Sequence, residues 1–150
     1  MSPLLGQMRR NGPLNILVVE PDDAFMMRLQ IALRGMTTPA ALYHLKSEKD
    51  LFLFLRKSEG WENAQQPDMI FLDISLMPAL DRLKSGSPFA GIPVLVMGAG
   101  IGRVQALECH RRFANACIPK PQDQAGMRSL AAAIETFWFK TAKLPPNKDF

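Results

Sequence analysis

The sequence predicts an α/β fold: a doubly wound, five-stranded parallel sheet in the order 2-1-3-4-5 with helices on both faces. Three observations predict it. The short apolar runs Ile16-Leu17-Val18-Val19, Met69-Ile70-Phe71-Leu72 and Val94-Leu95-Val96-Met97 have the composition of strands buried on both faces. Segments with apolar residues near helical spacing follow the strands, so strand and helix alternate along the chain and right-handed βαβ units result. Two of the runs also end in a carboxylate, Glu20 after the first and Asp73 after the third, at the strand end where open α/β sheets collect ligands.

The elements follow in order. Residues 1–13 hold Ser2, Pro3, Gly6, Asn11, Gly12 and Pro13 and read as an irregular arm ahead of a domain over 14–142. Behind the first strand, Asp22 and Asp23 can cap a helix running from Ala24 to Arg34, with Phe25, Leu29, Ala32 and Leu33 near helical spacing and Gly35 as its stop. Ala40–Leu45 is a weaker strand after Pro39. Ser47, with Asp50 as a loose capping-box acid, starts a helix whose apolar face is Leu51, Phe52 and Leu55 and which ends before Gly60. A polar connection over 63–67 leads into the third strand. Beyond Asp73, a short helix over Ala79–Lys84 is broken by Ser85-Gly86-Ser87-Pro88. The turn Gly98-Ala99-Gly100-Ile101-Gly102 follows the fourth strand and opens a helix carrying Val104, Leu107, Cys109, His110 and Phe113. Ala116-Cys117-Ile118 is the fifth strand. Asp123 can cap the last helix, which has Met127, Leu130, Ile134, Phe137 and Trp138 on its apolar side. Leu144-Pro145-Pro146 ends it, and residues 143–150 form a tail.

Composition narrows the function classes. With 150 residues, 47% hydrophobic and 21% charged, the chain can bury a core as one domain and is too apolar for disorder. Its net charge of +4 is scattered over Arg9-Arg10, Arg56-Lys57, Arg82, Lys84 and Arg111-Arg112 without interleaved aromatics, so no nucleic-acid partner is expected. No run approaches the ~18 apolar residues of a membrane span. No apolar stretch follows Arg9-Arg10 as a signal peptide would require, and a reduced, cytoplasmic protein is the expectation. Cys109 and Cys117 have neither CxxC nor zinc spacing and read as small core residues. His44 and His110 read as surface or helix residues, not catalytic ones.

Glu20, Asp73 and Lys120 follow strands that lie near the switch point of such a sheet. Two carboxylates can hold a divalent cation with water filling the other positions. A nearby lysine can pair with a phosphoryl group, which makes this chemistry for phosphorylating Asp73. On these residues the sequence resembles the receiver domains of two-component response regulators. The likeness is carried by Ile16-Leu17-Val18-Val19-Glu20, Pro67-Asp68-Met69-Ile70-Phe71-Leu72-Asp73, Ile92-Pro93-Val94-Leu95-Val96 and Lys120-Pro121, and covers residues 14–140. Trp61 ahead of Gln66-Pro67-Asp68, the run Cys109–Cys117, and Ile134-Glu135-Thr136-Phe137-Trp138-Phe139 with Leu144-Pro145-Pro146 are similar to the single-domain regulators of phytochrome-type, light-sensing histidine kinases.

The resemblance implies that Asp73 is the phosphoacceptor, that Lys120 pairs with the phosphoryl group, and that Mg²⁺ is held by Glu20, Asp73 and the backbone carbonyl of Ser75. It implies a phosphoryl acceptor and not an enzyme, a sensor histidine kinase as partner, and a homodimer without nucleic acid or membrane. Phe137, Trp138 and Phe139 cannot all face inward on one helix, so part of this triplet is expected at the dimer interface.

The chain also departs from the family pattern. Pro21 stands where a second metal-binding acid is usual, and Asp22 comes one residue late. Gly98 stands where a Ser or Thr hydroxyl contacts the phosphoryl group, and Cys117 where a switch aromatic is usual. The stretch from Asp73 to Ile92 is shorter than the pattern and lacks its Pro-x-x-Asp-Gly turn, with Asp81 no clear substitute. Two readings therefore stand: a receiver phosphorylated on Asp73 with weakened metal binding, or a degenerate receiver acting as a phosphorylation-independent binding or dimerisation module. A nucleotide or flavin site on the Gly98–Gly102 turn has the wrong spacing and follows the wrong strand.

Overall fold

The strands form where the apolar runs place them. In a computed structural model that describes residues 13–145, the chain runs β1 (Leu14–Val19), α1 (Asp23–Leu33), β2 (Ala40–Leu45), α2 (Glu48–Leu55), β3 (Met69–Asp73), a 3₁₀ turn (Ile74–Leu76), α3 (Met77–Lys84), β4 (Val94–Gly98), α4 (Arg103–Arg111), β5 (Ala116–Pro119) and α5 (Gln124–Ile134), which continues into a π turn over Glu135–Phe139. The sheet order is β2-β1-β3-β4-β5, with every pair parallel. Most of the expected arm and tail, residues 1–12 and 146–150, lies outside the described residues.

Strand periodicity divides the core in two. Leu17, Val19, Ile70, Leu72, Val94 and Val96 face α2 and α3, meeting Leu51, Phe54, Leu80 and Leu83. Ile16, Val18, Met69, Phe71, Leu95 and Met97 face α1 and α5, meeting Phe25, Leu29, Met127 and Ile134. Both faces of the central strands are thus covered, which is why those strands read as continuous apolar runs.

Local chemistry sets the helix ends. Asp22 caps α1 by accepting from Ala24 N, and Ser47 caps α2 by accepting from Asp50 N. Asp123 caps α5 by accepting from Gly126 N. α3 has Pro78 in its first turn, where the missing N–H costs no helical bond, and Arg82 and Lys84 in its last turn beside the negative end of the helix dipole. Lys84 is half-buried and donates to the carbonyls of Ala90 and Ile92 and to Asn115 Oδ1, tying the end of α3 to the start of β4. Asp81 points away from the strand ends and pairs with Arg112 of the α4 terminus at 3.2 Å. No helix among the described residues is long and apolar enough to cross a membrane.

Candidate functional site

β1, β3 and β5 bring Glu20, Asp73 and Lys120 to one point at their carboxyl ends. Lys120 Nζ lies 2.7 Å from Glu20 Oε1 and 2.6 Å from Asp73 Oδ1. The side chains of Glu20, Asp73 and Lys120 are 4%, 11% and 12% exposed, so this ion triad is drier than any other ion pair described and less screened by water. The Lys120 backbone N–H donates to Gly98 O at 2.8 Å, which fixes where the lysine leaves the sheet. Its ammonium also sits 4.2 Å from the centroid of the buried Phe25 ring, a cation–π contact.

The remaining carboxylate oxygens are satisfied locally. Asp73 Oδ2 accepts from Ser75 N at 3.0 Å and Ser75 Oγ at 2.5 Å. Glu20 Oε2 accepts from Asp22 N at 3.0 Å. The two acids then diverge in acidity. Burial raises the Glu20 carboxyl above its usual range, against the opposing pull of Lys120. Burial pushes Asp73 the same way, but hydrogen bonds from Lys120 and Ser75 outweigh it and hold Asp73 below the usual range. Burial disfavours the charged form of Lys120, yet Asp73 and Glu20 together raise its pKa. The site therefore keeps an ionised carboxylate and an ammonium in contact, the pairing that a phosphoryl-accepting acid needs beside a counter-charge.

The donor set fits a divalent cation sparingly. Glu20 and Asp73 already converge on one cation, the lysine ammonium, so two hard oxygen donors from separate strands can reach a common point. No third acidic or imidazole side chain joins them: among the described residues, no cluster of three or more His, Cys, Asp or Glu side chains could hold a metal. Pro21 offers no carboxylate, and the side chain of Asp22 is engaged in capping α1. Ser75, expected to lend its backbone carbonyl, contributes its N–H and hydroxyl to Asp73.

The departures have a steric counterpart. Gly98 is buried at the end of β4, and a Cβ built there would lie 2.6 Å from Ile74 Cγ2 and 3.0 Å from Ile74 Cβ. The side chain of Ile74, the residue after the acceptor, thus takes the space that a Ser or Thr at position 98 would need. In the following turn, Gly102 N donates to Gln105 Oε1, so that amide already serves the start of α4. Cys117 lies half-buried on β5 opposite Val96, with its sulfur 3.1 Å from that of Cys109. Of the expected interface triplet, Phe137 is 54% exposed, whereas Trp138 and Phe139 pack partly against the α1–α5 core.

Sequence reasoning missed several contacts that hold the site in place. Asp68 is buried and accepts from Asn15 N at 2.8 Å, clamping the entry of β3 to β1. His44, on β2, places Nε2 2.8 Å from the carbonyl of Glu20 and so braces the end of β1. Asp68 lies inside the Pro67–Asp73 run, but its partner is 53 residues away and no local pattern announces it.

No protein-family model matches the chain. The response regulator Rcp1 of Synechocystis sp. is 26% identical over 140 residues, covering 90% of this chain and 95% of that protein. The Mn²⁺-bound crystal structure of Rcp1 superposes with a TM-score of 0.80 at 25% identity, covering 89% of this chain and 99% of that one. The phosphorylated cyanobacterial phytochrome response regulator RcpA superposes with a TM-score of 0.82 at 27% identity, with the same coverage of 89% and 99%. The response regulator RPA3017, from red-light signalling in R. palustris, shares the fold with a TM-score of 0.81 at 18% identity.

Proposed function

We propose that this chain, a response regulator receiver domain by its fold and its similarity to Rcp1 and RcpA, accepts a phosphoryl group on Asp73 from a sensor histidine kinase. The observation that carries the reading is the convergence of Asp73 and Glu20 on Lys120 Nζ at the ends of three strands. Asp73 is the nucleophile: a carboxylate oxygen bonds to phosphorus as the phosphorus–nitrogen bond of phosphohistidine breaks and the imidazole keeps the electron pair. The Lys120 ammonium, already 2.6 Å from Asp73 Oδ1, meets the negative charge that the phosphoryl group brings. Ser75 orients Asp73 through Oδ2.

Glu20 and Asp73, with the Ser75 carbonyl, are the residues that would hold a divalent cation such as Mg²⁺, which when bound supplies further charge neutralisation. That Rcp1 was crystallised with Mn²⁺ and RcpA in phosphorylated form supports both parts of the reading. Pro21 makes the metal site weaker than one with a further acid. The chain is a phosphoryl acceptor without substrate turnover, residues 14–142 forming the receiver. A phytochrome-type kinase is the partner by analogy with RcpA. The proposal includes a homodimer, with Phe137 as the aromatic available to a second copy.

The test is incubation with acetyl phosphate and Mg²⁺. A phosphoryl mass gain that is lost in base and absent from Asp73→Asn supports the reading. No gain with acetyl phosphate or with a cognate kinase would leave the binding-module reading in its place.

A further inference from the structure

α4 is held to the sheet by little apolar surface. Its one buried side chain is Cys109, while Val104 and Leu107 on the same helix are 78% and 52% exposed. Cys109 is 0% exposed and its sulfur lies 3.1 Å from that of Cys117, which is half-buried on β5. Any bond between these sulfurs therefore joins a loosely held helix to the strand that carries Lys120 to the site. The two thiols are free as the chain stands.

We propose that Cys109 and Cys117 form an oxidative modification site that takes a peroxide-class oxidant and closes to an intramolecular disulfide. Cys117 is the accessible partner and reacts first. Its thiol loses a proton and the sulfur attacks peroxide; the S–O bond forms, the O–O bond breaks, and the departing hydroxide takes up a proton to leave as water. The sulfur of Cys109 then attacks the Cys117 sulfenic acid. The S–S bond forms, the S–O bond breaks, and the leaving hydroxide takes the Cys109 proton as a second water. Two thiol hydrogens and two electrons pass to one hydrogen peroxide, and the sum balances as a disulfide and two waters. The order of attack agrees with the Cys109 environment: burial, then the neighbouring Cys117, raise its thiol, so it is not the sulfur that peroxide takes first. The proposal does not depend on phosphorylation of Asp73.

The test uses the purified full chain, treated with hydrogen peroxide, denatured, alkylated with iodoacetamide and weighed intact. The expected result is a mass lower by two hydrogens with no alkylation, returning to two alkylated cysteines after thiol reductant. Cys117→Ser should retain one alkylatable thiol after the same treatment. Cys109→Ala should instead yield a Cys117 sulfenic acid that dimedone captures, with circular dichroism showing that each variant is folded. The oxidised chain should also show slower amide exchange across α4. Two alkylatable thiols after peroxide, disulfide-linked dimers on a non-reducing gel, or α4 exchange that oxidation leaves unchanged would overturn the proposal.

Discussion

At Gly98 and Ile74, the end of β4 and the turn after β3 share one volume. The absent side chain of Gly98 leaves room for Ile74, and the contact distances bar a hydroxyl residue at 98 unless Ile74 moves. Gly98→Ser should therefore destabilise the chain by about 1–3 kcal/mol through overpacking. In the double variant with Ile74→Ala the two costs should not add, because the clash is gone. Urea unfolding of the four proteins in this cycle checks it, and additive costs would show that the Ile74 contact is not the cause. Gly98 was legible as a departure from a pattern. Its cause was not, since only the fold shows that residue 74 leans across the same space.

Pro21 and Asp22 belong to the same scale. Asp22 is one residue late, and one of its carboxylate oxygens already accepts from Ala24 N. Pro21→Asp should tighten Mg²⁺ binding by about tenfold, or about 1.4 kcal/mol, measured by calorimetry. Unchanged affinity would mean that the weakness lies elsewhere, with Lys120 the next suspect because its ammonium occupies the point where the carboxylates meet. Glu20, Asp73 and Lys120 themselves were readable from sequence because each follows a recognisable strand.

At the scale of elements, strands were the most legible feature because burial on both faces forces an unbroken apolar run. The helices were legible through their caps, and Asp22, Ser47 and Asp123 all act as the sequence suggests. The end of α5 was not. Its apolar spacing puts Phe137 and Trp138 on one side, but the π turn over Glu135–Phe139 changes the residues per turn and leaves Phe137 outside. Glu135, in that turn, is buried and accepts from Thr38 N at 2.6 Å and Thr37 Oγ1 at 3.0 Å, anchoring α5 to the connection between α1 and β2. Those partners are 97 and 98 residues away in sequence, so no local pattern reveals them.

The hydrogen bonds from Thr38 and Thr37 pull the Glu135 carboxyl down to about 2 from an ordinary 4.5. A folded-state value below the unfolded one means that the stabilisation is fully present above pH 4.5 and is lost as pH falls towards about 2. Denaturation midpoints of wild type and Glu135→Gln should therefore converge over that window as the pH drops. A constant difference between them would deny Glu135 this role.

At the scale of the whole molecule, the strand order does the assembling. Glu20, Asp73 and Lys120 are far apart in the chain, and only a β2-β1-β3-β4-β5 sheet with parallel strands brings their carboxyl ends together. That topology was predictable because alternating strands and helices leave few right-handed arrangements. Which member of the aromatic triplet points outward was less legible, since that depends on how the helix ends. Light scattering should show a homodimer that Phe137→Ala weakens; a monomer at high concentration would exclude it.

The central claim is that Asp73 carries the phosphoryl group. Borohydride reduces an aspartyl phosphate to homoserine, so the chain treated with acetyl phosphate and Mg²⁺ can be reduced, digested and sequenced by mass spectrometry. Homoserine at position 73, absent from untreated protein, is the predicted result. Intact aspartate at 73, or homoserine at another position, would contradict it.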